Sequence, residues 1–404
     1  MKSAVGFACL VAVVLVMGLS AGCRGKPGAG NPVERERRAV RLVDAVTGGR
    51  YADARADFNL LMSVSLSAGR LEEVWQGIQQ QTGAFTNRFS TNATREAGYE
   101  VVWLGMGFER GALRAKVVFD SGDQVTGLFF LPWQGAAKPA KYVDESRFTE
   151  TAIRFGAEGW KLDGTLTSPK GITNAPVIVL VHGSGPHDRD ETIGPNKPFR
   201  DLAWGLAGQG IAVFRYDKRT HAHQAKMAQL RTLTVEEETV ADVVMAVAAV
   251  AGRAGIDRSS VYVLGHSLGG HLVPRIAARA QPLAGVIIMA GNVRSLPELM
   301  AEQAEYLRAN GGDGRQLKGL QLAAERVQAL TPQDARSREV VLGAPMSYWF
   351  DLRDYDPVKT LQDFPGRVLL LQGARDYQVT LKDLELWQRG LGEGRTSRRT
   401  PFPR

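Results

Sequence analysis

The chain has 404 residues, 44% of them apolar and 23% charged, and a formal net charge of +8. These proportions belong to a folded globular protein and exclude collagen-like, disordered and polytopic membrane chains. The basic residues are dispersed, with no Lys/Arg block interleaved with aromatics, so no nucleic-acid groove is expected.

At roughly 100–200 residues per domain, the length predicts two domains behind a leader. Residues 1–22 read as a signal peptide: Lys2 is a short positive start, Ala4 to Gly22 carries no charge, and Ser20, Ala21 and Gly22 precede a cysteine. This resembles a bacterial lipoprotein signal. It implies that Cys23 becomes the lipidated first residue, followed by a Gly- and Pro-bearing tether over 23–33. The domain would then be exported and held at a membrane by a lipid anchor. The departure is Ser20 three positions before the cysteine, where a large apolar residue is usual; Leu19 stands one earlier. An ordinary cleaved signal and an uncleaved anchor remain alternatives. The other cysteine is Cys9, so beyond residue 23 there is no disulfide, thiolate metal site or cysteine nucleophile.

Residues 34–133 read as a small accessory α+β domain. Val40, Leu42, Val43 and Val46 recur at helical spacing until Gly48-Gly49, and further helices are expected over Tyr51–Leu66 and Leu71–Gln81. Strands are then expected at Glu100–Gly105, Ala112–Phe119 and Gln124–Leu131, as an antiparallel meander. Residues 134–147, with Lys138-Pro139, read as a linker.

From Phe148 short apolar runs alternate with helical stretches: Val177–Val181, Ile211–Phe214, Val261–Leu264, Val286–Met289 and Val368–Leu371. Strands covered on both faces by helices need that composition, so residues 148–404 predict an α/β domain with a mostly parallel sheet. Thr234 and Glu237 form a capping box ahead of Val240, Val243, Val244, Val247 and Val250, which share one helical face.

Strand Val261–Leu264 runs into Gly265-His266-Ser267-Leu268-Gly269-Gly270 and then into a helical stretch. A serine between a buried strand and a helix sits on a tight turn, where glycines two before and two after relieve crowding. Ser267 is therefore the expected nucleophile, exposed at the carboxyl edge of the sheet beside a helix N-terminus. Its developing oxyanion needs aimed donors. Strand Val177–Val181 ends in His182-Gly183-Ser184-Gly185-Pro186, and the expected pair is Ser184 N–H with Leu268 N–H, Gly183 being held in reserve.

The order of strand, His-Gly-x-Gly turn and G-x-S-x-G elbow resembles the α/β-hydrolase superfamily. The run from His182 to Phe199 is similar to a bacterial carboxylesterase group with an accessory domain ahead of the hydrolase domain. The resemblance implies a serine hydrolase of carboxylic esters that needs no cofactor and no metal. It also implies the chain order Ser, then Asp or Glu, then His. Strand Val368–Leu371 leads to Asp376, the implied acid, which would orient and stabilise the imidazolium of the base.

The family's base departs from this pattern, because no histidine follows Asp376. His182, His187, His221, His223, His266 and His271 all precede it. His266 is expected to turn away from Ser267, His182 to brace the oxyanion turn, and His271 to be packed or superficial. The tail after Leu391 has no strand pattern, which predicts that the chain as written stops short of the last strand, the base histidine and the final helix. A weak or inactive esterase follows. A peptidase-type acyl hydrolase and a catalytically dead binding protein are the alternatives. The helical stretch Arg294–Tyr348 is either a lid or a surface excursion. Acyl and alcohol groups of the substrate, and the oligomeric state, are not legible.

Overall fold

The computed structural model describes residues 31–96, 99–133, 139–193, 196–230, 232–310, 314–337 and 339–392. The segment read as a signal peptide, Cys23, most of the stretch read as a tether and the tail 393–404 lie outside the described residues. Among the described residues no helix is long and apolar enough to cross a membrane. The chain divides into two compact units, Met1–Ala137 and Lys138–Arg404.

In the first unit, α1 (Pro32–Thr47) starts at Asn31, whose side chain accepts from the Val33 N–H, and ends at Gly48. Its inner face is Ala39, Leu42, Val43 and Val46. The stretch expected to be one helix from Tyr51 is broken into a 3₁₀ turn, Asp53–Arg55, and α2 (Leu60–Ser65). Tertiary contacts override local propensity here. Asn59 caps α2 and also donates to Asp120 and Thr126, while Phe58 bridges to Val125. Helix α3 (Ala68–Thr82) buries Leu71 and Trp75, and Trp75 meets Phe108 and Phe130 with ring centroids 5.8 Å apart in each case.

The sheet of this unit is an antiparallel meander of β1 (Phe85–Glu96), β2 (Tyr99–Phe108), β3 (Gly111–Phe119) and β4 (Val125–Pro132). Strand β1 was not expected. It is an edge strand whose residues are mostly polar and exposed, so it lacks the apolar alternation that marks the other three.

The second unit is built on a seven-stranded sheet. Its strands are β5 (Phe148–Phe155), β6 (Leu162–Pro169), β7 (Ala175–Val181), β8 (Ala212–Tyr216), β9 (Ile256–His266), β10 (Gly285–Met289) and, after a two-stranded ribbon of β11 (Val340–Val341) and β12 (Ala344–Pro345), β13 (Arg367–Leu371). The order is β13-β10-β9-β7-β8-β6-β5, with β13 to β8 parallel and β6 and β5 antiparallel. This is the mostly parallel sheet that the sequence predicts, with helices flanking it.

The helices in chain order are α4 (Pro198–Ala207), α5 (Arg219–Ala222), α6 (Gln224–Met227), α7 (Ala241–Ala251), α8 (Leu268–Ala277), α9 (Leu296–Ala309), α10 (Gly314–Gln328), α11 (Met346–Arg353), α12 (Pro357–Leu361) and α13 (Leu381–Leu391). Glu237 accepts from both the N–H and the hydroxyl of Thr234, as the capping pattern predicts. The helix opens with a wide turn, Glu236–Val240, before α7. Val240, Val243, Val247 and Val250 are fully buried, each showing none of its surface.

Register sets the location of chemistry. Val181 pairs with Gly265, His266 with Met289, and Met289 with Leu371. The turns after β7, β9, β10 and β13 therefore leave the sheet along one edge, where open α/β sheets place their ligands.

Candidate active site

Ser267 stands between β9 and α8 with φ 53° and ψ −118°, a strained backbone for a residue with a side chain. Its N–H continues the sheet ladder to the Met289 carbonyl at 2.9 Å. The glycines around it are forced by close approach. A Cβ on Gly265 would lie 2.3 Å from the Gly269 carbonyl oxygen, and one on Gly269 would lie 2.5 Å from that of Val181. Helix α8 begins at Leu268, so that residue's N–H is one of the first-turn donors without an intrahelical acceptor.

The turn after β7 comes against this elbow. A Cβ on Gly183 would lie 3.3 Å from Ser267 Cβ. The Gly183 N–H donates to Glu191 Oε1 at 2.7 Å, which removes Gly183 from the oxyanion donors it was held in reserve for. His187 Nε2 donates to the Ser184 carbonyl at 2.7 Å, and Lys218 Nζ donates to the Gly183 carbonyl at 2.8 Å.

Ser184, Ser267 and Leu268 line one cavity of about 740 Å³. Part of its wall comes from the 294–348 segment, through Leu296, Leu299 and Met300 of α9, Leu320 of α10 and Tyr348 of α11, with Trp349 just beyond it. The helical insertion thus covers a pocket and is not a surface excursion. Asp376 is half-buried on the loop after β13 and is absent from the cavity wall, although its neighbours Gln378 and Val379 belong to it. Its Oδ1 accepts from the Gln378 and Val379 N–H groups at 2.9 and 3.1 Å. It does not cap α13, whose cap position is Thr380.

The histidines divide by environment. His182 is buried, donates through Nε2 to the Asp188 carbonyl at 3.0 Å, and is held well below the usual imidazole value by burial and then by the Lys218 charge. His271 is buried, with Nδ1 donating to the Asn292 carbonyl at 2.8 Å. His266 faces the loop beside Gly183, with Nδ1 2.9 Å from Glu191 Oε2. Burial works against its cation, but the Glu191 carboxylate, helped by Asp376, outweighs burial and raises its pKa. Among the described residues no histidine hydrogen-bonds Asp376.

Glu191 and Lys218 were missed in the sequence. Both are almost wholly buried, at 1% and 2% exposure, and both grip the turn after β7 at Gly183. The available signal was the charge density of His187-Asp-Arg-Asp-Glu191, whose members fasten the loop. Asp188 caps Thr192, Arg189 pairs with Asp217 at 2.6 Å, and Asp190 pairs with Lys197 at 2.6 Å. Among the described residues no group of three or more His, Cys, Asp or Glu could hold a metal ion.

Residues 178–401 match the family model described as "Alpha/beta hydrolase family", and residues 39–128 match one described as "Protein of unknown function (DUF3887)". The chain is 37% identical over 360 residues to Esterase EstD of Thermotoga maritima, covering 88% of this chain and 83% of that protein. Among solved structures it is similar to the alpha/beta hydrolase GrgF of Penicillium sp. sh18 (17% identity, 61% and 88% of the two chains, TM-score 0.43). An esterase of Pyrococcus furiosus is similar at 14% identity over 65% and 87% of the two chains, also with a TM-score of 0.43. The family match over more than half of the chain, and a relative of that identity and coverage, make this protein a member of the alpha/beta hydrolase family.

Proposed function

We propose that the protein is a serine esterase acting on small-molecule carboxylic esters. The observation that supports this most is the strained elbow that presents Ser267 to the 740 Å³ cavity beside the Ser184 and Leu268 amides. In the proposed reaction Ser267 Oγ gives its proton to a solvent base, which returns it to the departing alkoxide, and attacks the ester carbonyl carbon. The carbonyl π pair moves onto oxygen, where the N–H groups of Leu268 and Ser184 receive the charge. Collapse expels the alcohol and leaves an acyl-serine, which water then hydrolyses. Asp376 is the acid that would hold the protonated base. No described histidine occupies the base position, so turnover by this chain is expected to be slow.

The esterase activity of the 37% identical relative favours esters over peptide-type substrates. The test is covalent labelling by a fluorophosphonate, with peptide mapping of the adduct. Labelling at Ser267, lost in Ser267→Ala and accelerated by added free imidazole as a substitute base, supports the reading. A folded protein that binds a hydrophobic ester yet never labels is a binding protein instead.

We also propose that Cys23 carries a lipid anchor that holds the exported protein at a membrane, as the leader's pattern implies. Radiolabelled palmitate incorporated by the parent and not by Cys23→Ala supports this. Equal incorporation overturns it.

A further inference from the structure

The oxyanion turn contains two glycines and a serine, residues that impose little order on a backbone. A donor that stabilises a transition state must nevertheless be held within about 0.5 Å of its working position. The structure supplies the missing order from two buried charges. Glu191 takes the Gly183 N–H at 2.7 Å, and Lys218 Nζ donates to the Gly183 carbonyl at 2.8 Å.

The second contact has a geometric consequence. The Gly183 carbonyl and the Ser184 N–H belong to one planar trans peptide, and in such a unit the C=O and N–H point in opposite directions. An ammonium fixed on the oxygen therefore sets the direction of the N–H. It also withdraws electron density from the amide, which makes that N–H a stronger donor. Ser184 lines the cavity with Ser267, and in the proposed reaction its N–H is the group that would receive the charge of the reacting carbonyl.

Lys218 is in turn held by its own surroundings. Its backbone N–H donates to the His187 carbonyl at 3.0 Å, and its ammonium lies 2.9 Å from Glu238 Oε1. Glu238 Oε2 accepts from the Tyr348 hydroxyl at 2.8 Å. Burying such a pair costs desolvation that an apolar pair of the same size would avoid, so stability is a poor reason for its presence.

We propose that Lys218 is a positioning residue for ester cleavage, aiming and polarising the Ser184 N–H through the Gly183 carbonyl. The inference rests on the serine-esterase reading above. It names a residue outside the Ser, Asp and His set and assigns it a role in charge stabilisation.

The test compares Glu238→Gln with the double variant Lys218→Met/Glu238→Gln, because Lys218→Met alone would strand a buried carboxylate. Fluorophosphonate labelling of Ser267 is resolved into a binding constant and a maximal rate, with melting curves to verify folding. The double variant is expected to lose about tenfold to a hundredfold in maximal rate relative to Glu238→Gln, with the binding constant little changed. Damage to the cavity as a whole would move both constants. A folded double variant within twofold of Glu238→Gln overturns the inference and leaves the reading intact. A parent chain that never labels at Ser267 overturns the reading and the inference together. If the double variant does not fold, Lys218→Arg decides. It keeps the charge but not the point contact, so an unchanged maximal rate in Lys218→Arg counts against the inference, and a fall in that rate alone supports it.

Discussion

The ring of Tyr306 stacks on that of Tyr377, with centroids 4.5 Å apart and planes inclined by 13°. Tyr306 belongs to α9, which walls the cavity, and Tyr377 follows Asp376. The same two segments are joined by Gln303 donating to the Gln378 carbonyl at 3.1 Å, and Glu302 paired with Lys382 at 2.6 Å ties α9 to the start of α13. Helix α9 and the loop after β13 are thus one packed assembly. Tyr306→Ala removes a stacking contact worth about 0.5–1.5 kcal/mol. Amide hydrogen exchange is expected to rise in α9 and in residues 376–379 together, with β9 unaffected. Faster exchange confined to α9 would mean that the acid loop is held independently.

The backbone at Ser267 stores strain that a residue without a Cβ would not feel. Such conformations cost on the order of 1–3 kcal/mol in residues with side chains. Ser267→Gly is therefore expected to melt higher than Ser267→Ala, by roughly 2–4 °C for each kcal/mol relieved. Neither variant labels with fluorophosphonate. Equal melting temperatures would show that the elbow carries no strain and that its shape is intrinsic to the flanking glycines.

Buried strands and the elbow were legible in the sequence because each has a local cause. Val177–Val181 and Val368–Leu371 are continuous apolar runs, as strands covered on both faces require. Glycines at 265 and 269 mark a turn that a side chain would block. What stayed hidden was set by partners distant in sequence. Lys218 is one charge among many until folding places it on the Gly183 carbonyl, 35 residues away. Strands β1 and β5 escaped notice because edge positions tolerate polar residues, which erases the periodic signal. Strand β6 lies inside the sheet, but its Asp163, Gly164, Thr165, Thr167 and Ser168 leave no apolar run to read. The partner of His266 was hidden for a related reason: strand alternation fixes which face a side chain leaves from but not that the loop carrying Glu191 folds back to meet it.

The cavity predicts a preference among esters. Leu296, Leu299, Met300 and Trp349 give it an apolar wall, and burying one methylene is worth about 0.8 kcal/mol. Across p-nitrophenyl esters, kcat/KM is expected to climb by up to about fourfold per added acyl methylene until the space is filled. Met300→Ala should shift the optimum toward longer chains. A rate that falls steadily from acetate onward would show that the acyl group binds elsewhere.

Three buried or half-buried histidines give the fold a pH dependence with a definite sign. His271 is pushed down to about 4, chiefly by burial and further by the nearby Arg275 charge, against the support of its bond to the Asn292 carbonyl. The unfolded chain takes up a proton near the ordinary value of 6.5 that the folded chain refuses until about 4, so stability falls as pH drops through that interval. The slope from one such group is at most about 1.4 kcal/mol per pH unit. His182, held well below the ordinary value, adds in the same direction. His266 works the other way, because its raised value makes the Glu191 pair most stabilising below 6.5 and weaker as pH rises past the folded value. His271→Asn keeps a donor at the Nδ1 position for the Asn292 carbonyl and removes the titrating group. It loses the edge contact of the imidazole with Tyr355, 5.0 Å between centroids, so it is expected to be less stable at neutral pH. Urea unfolding between about pH 4.5 and about 7.5 should then show a shallower acid limb in the variant than in the parent. Parallel limbs in the two proteins would mean that His271 is already protonated, or still exposed to water, in the native fold.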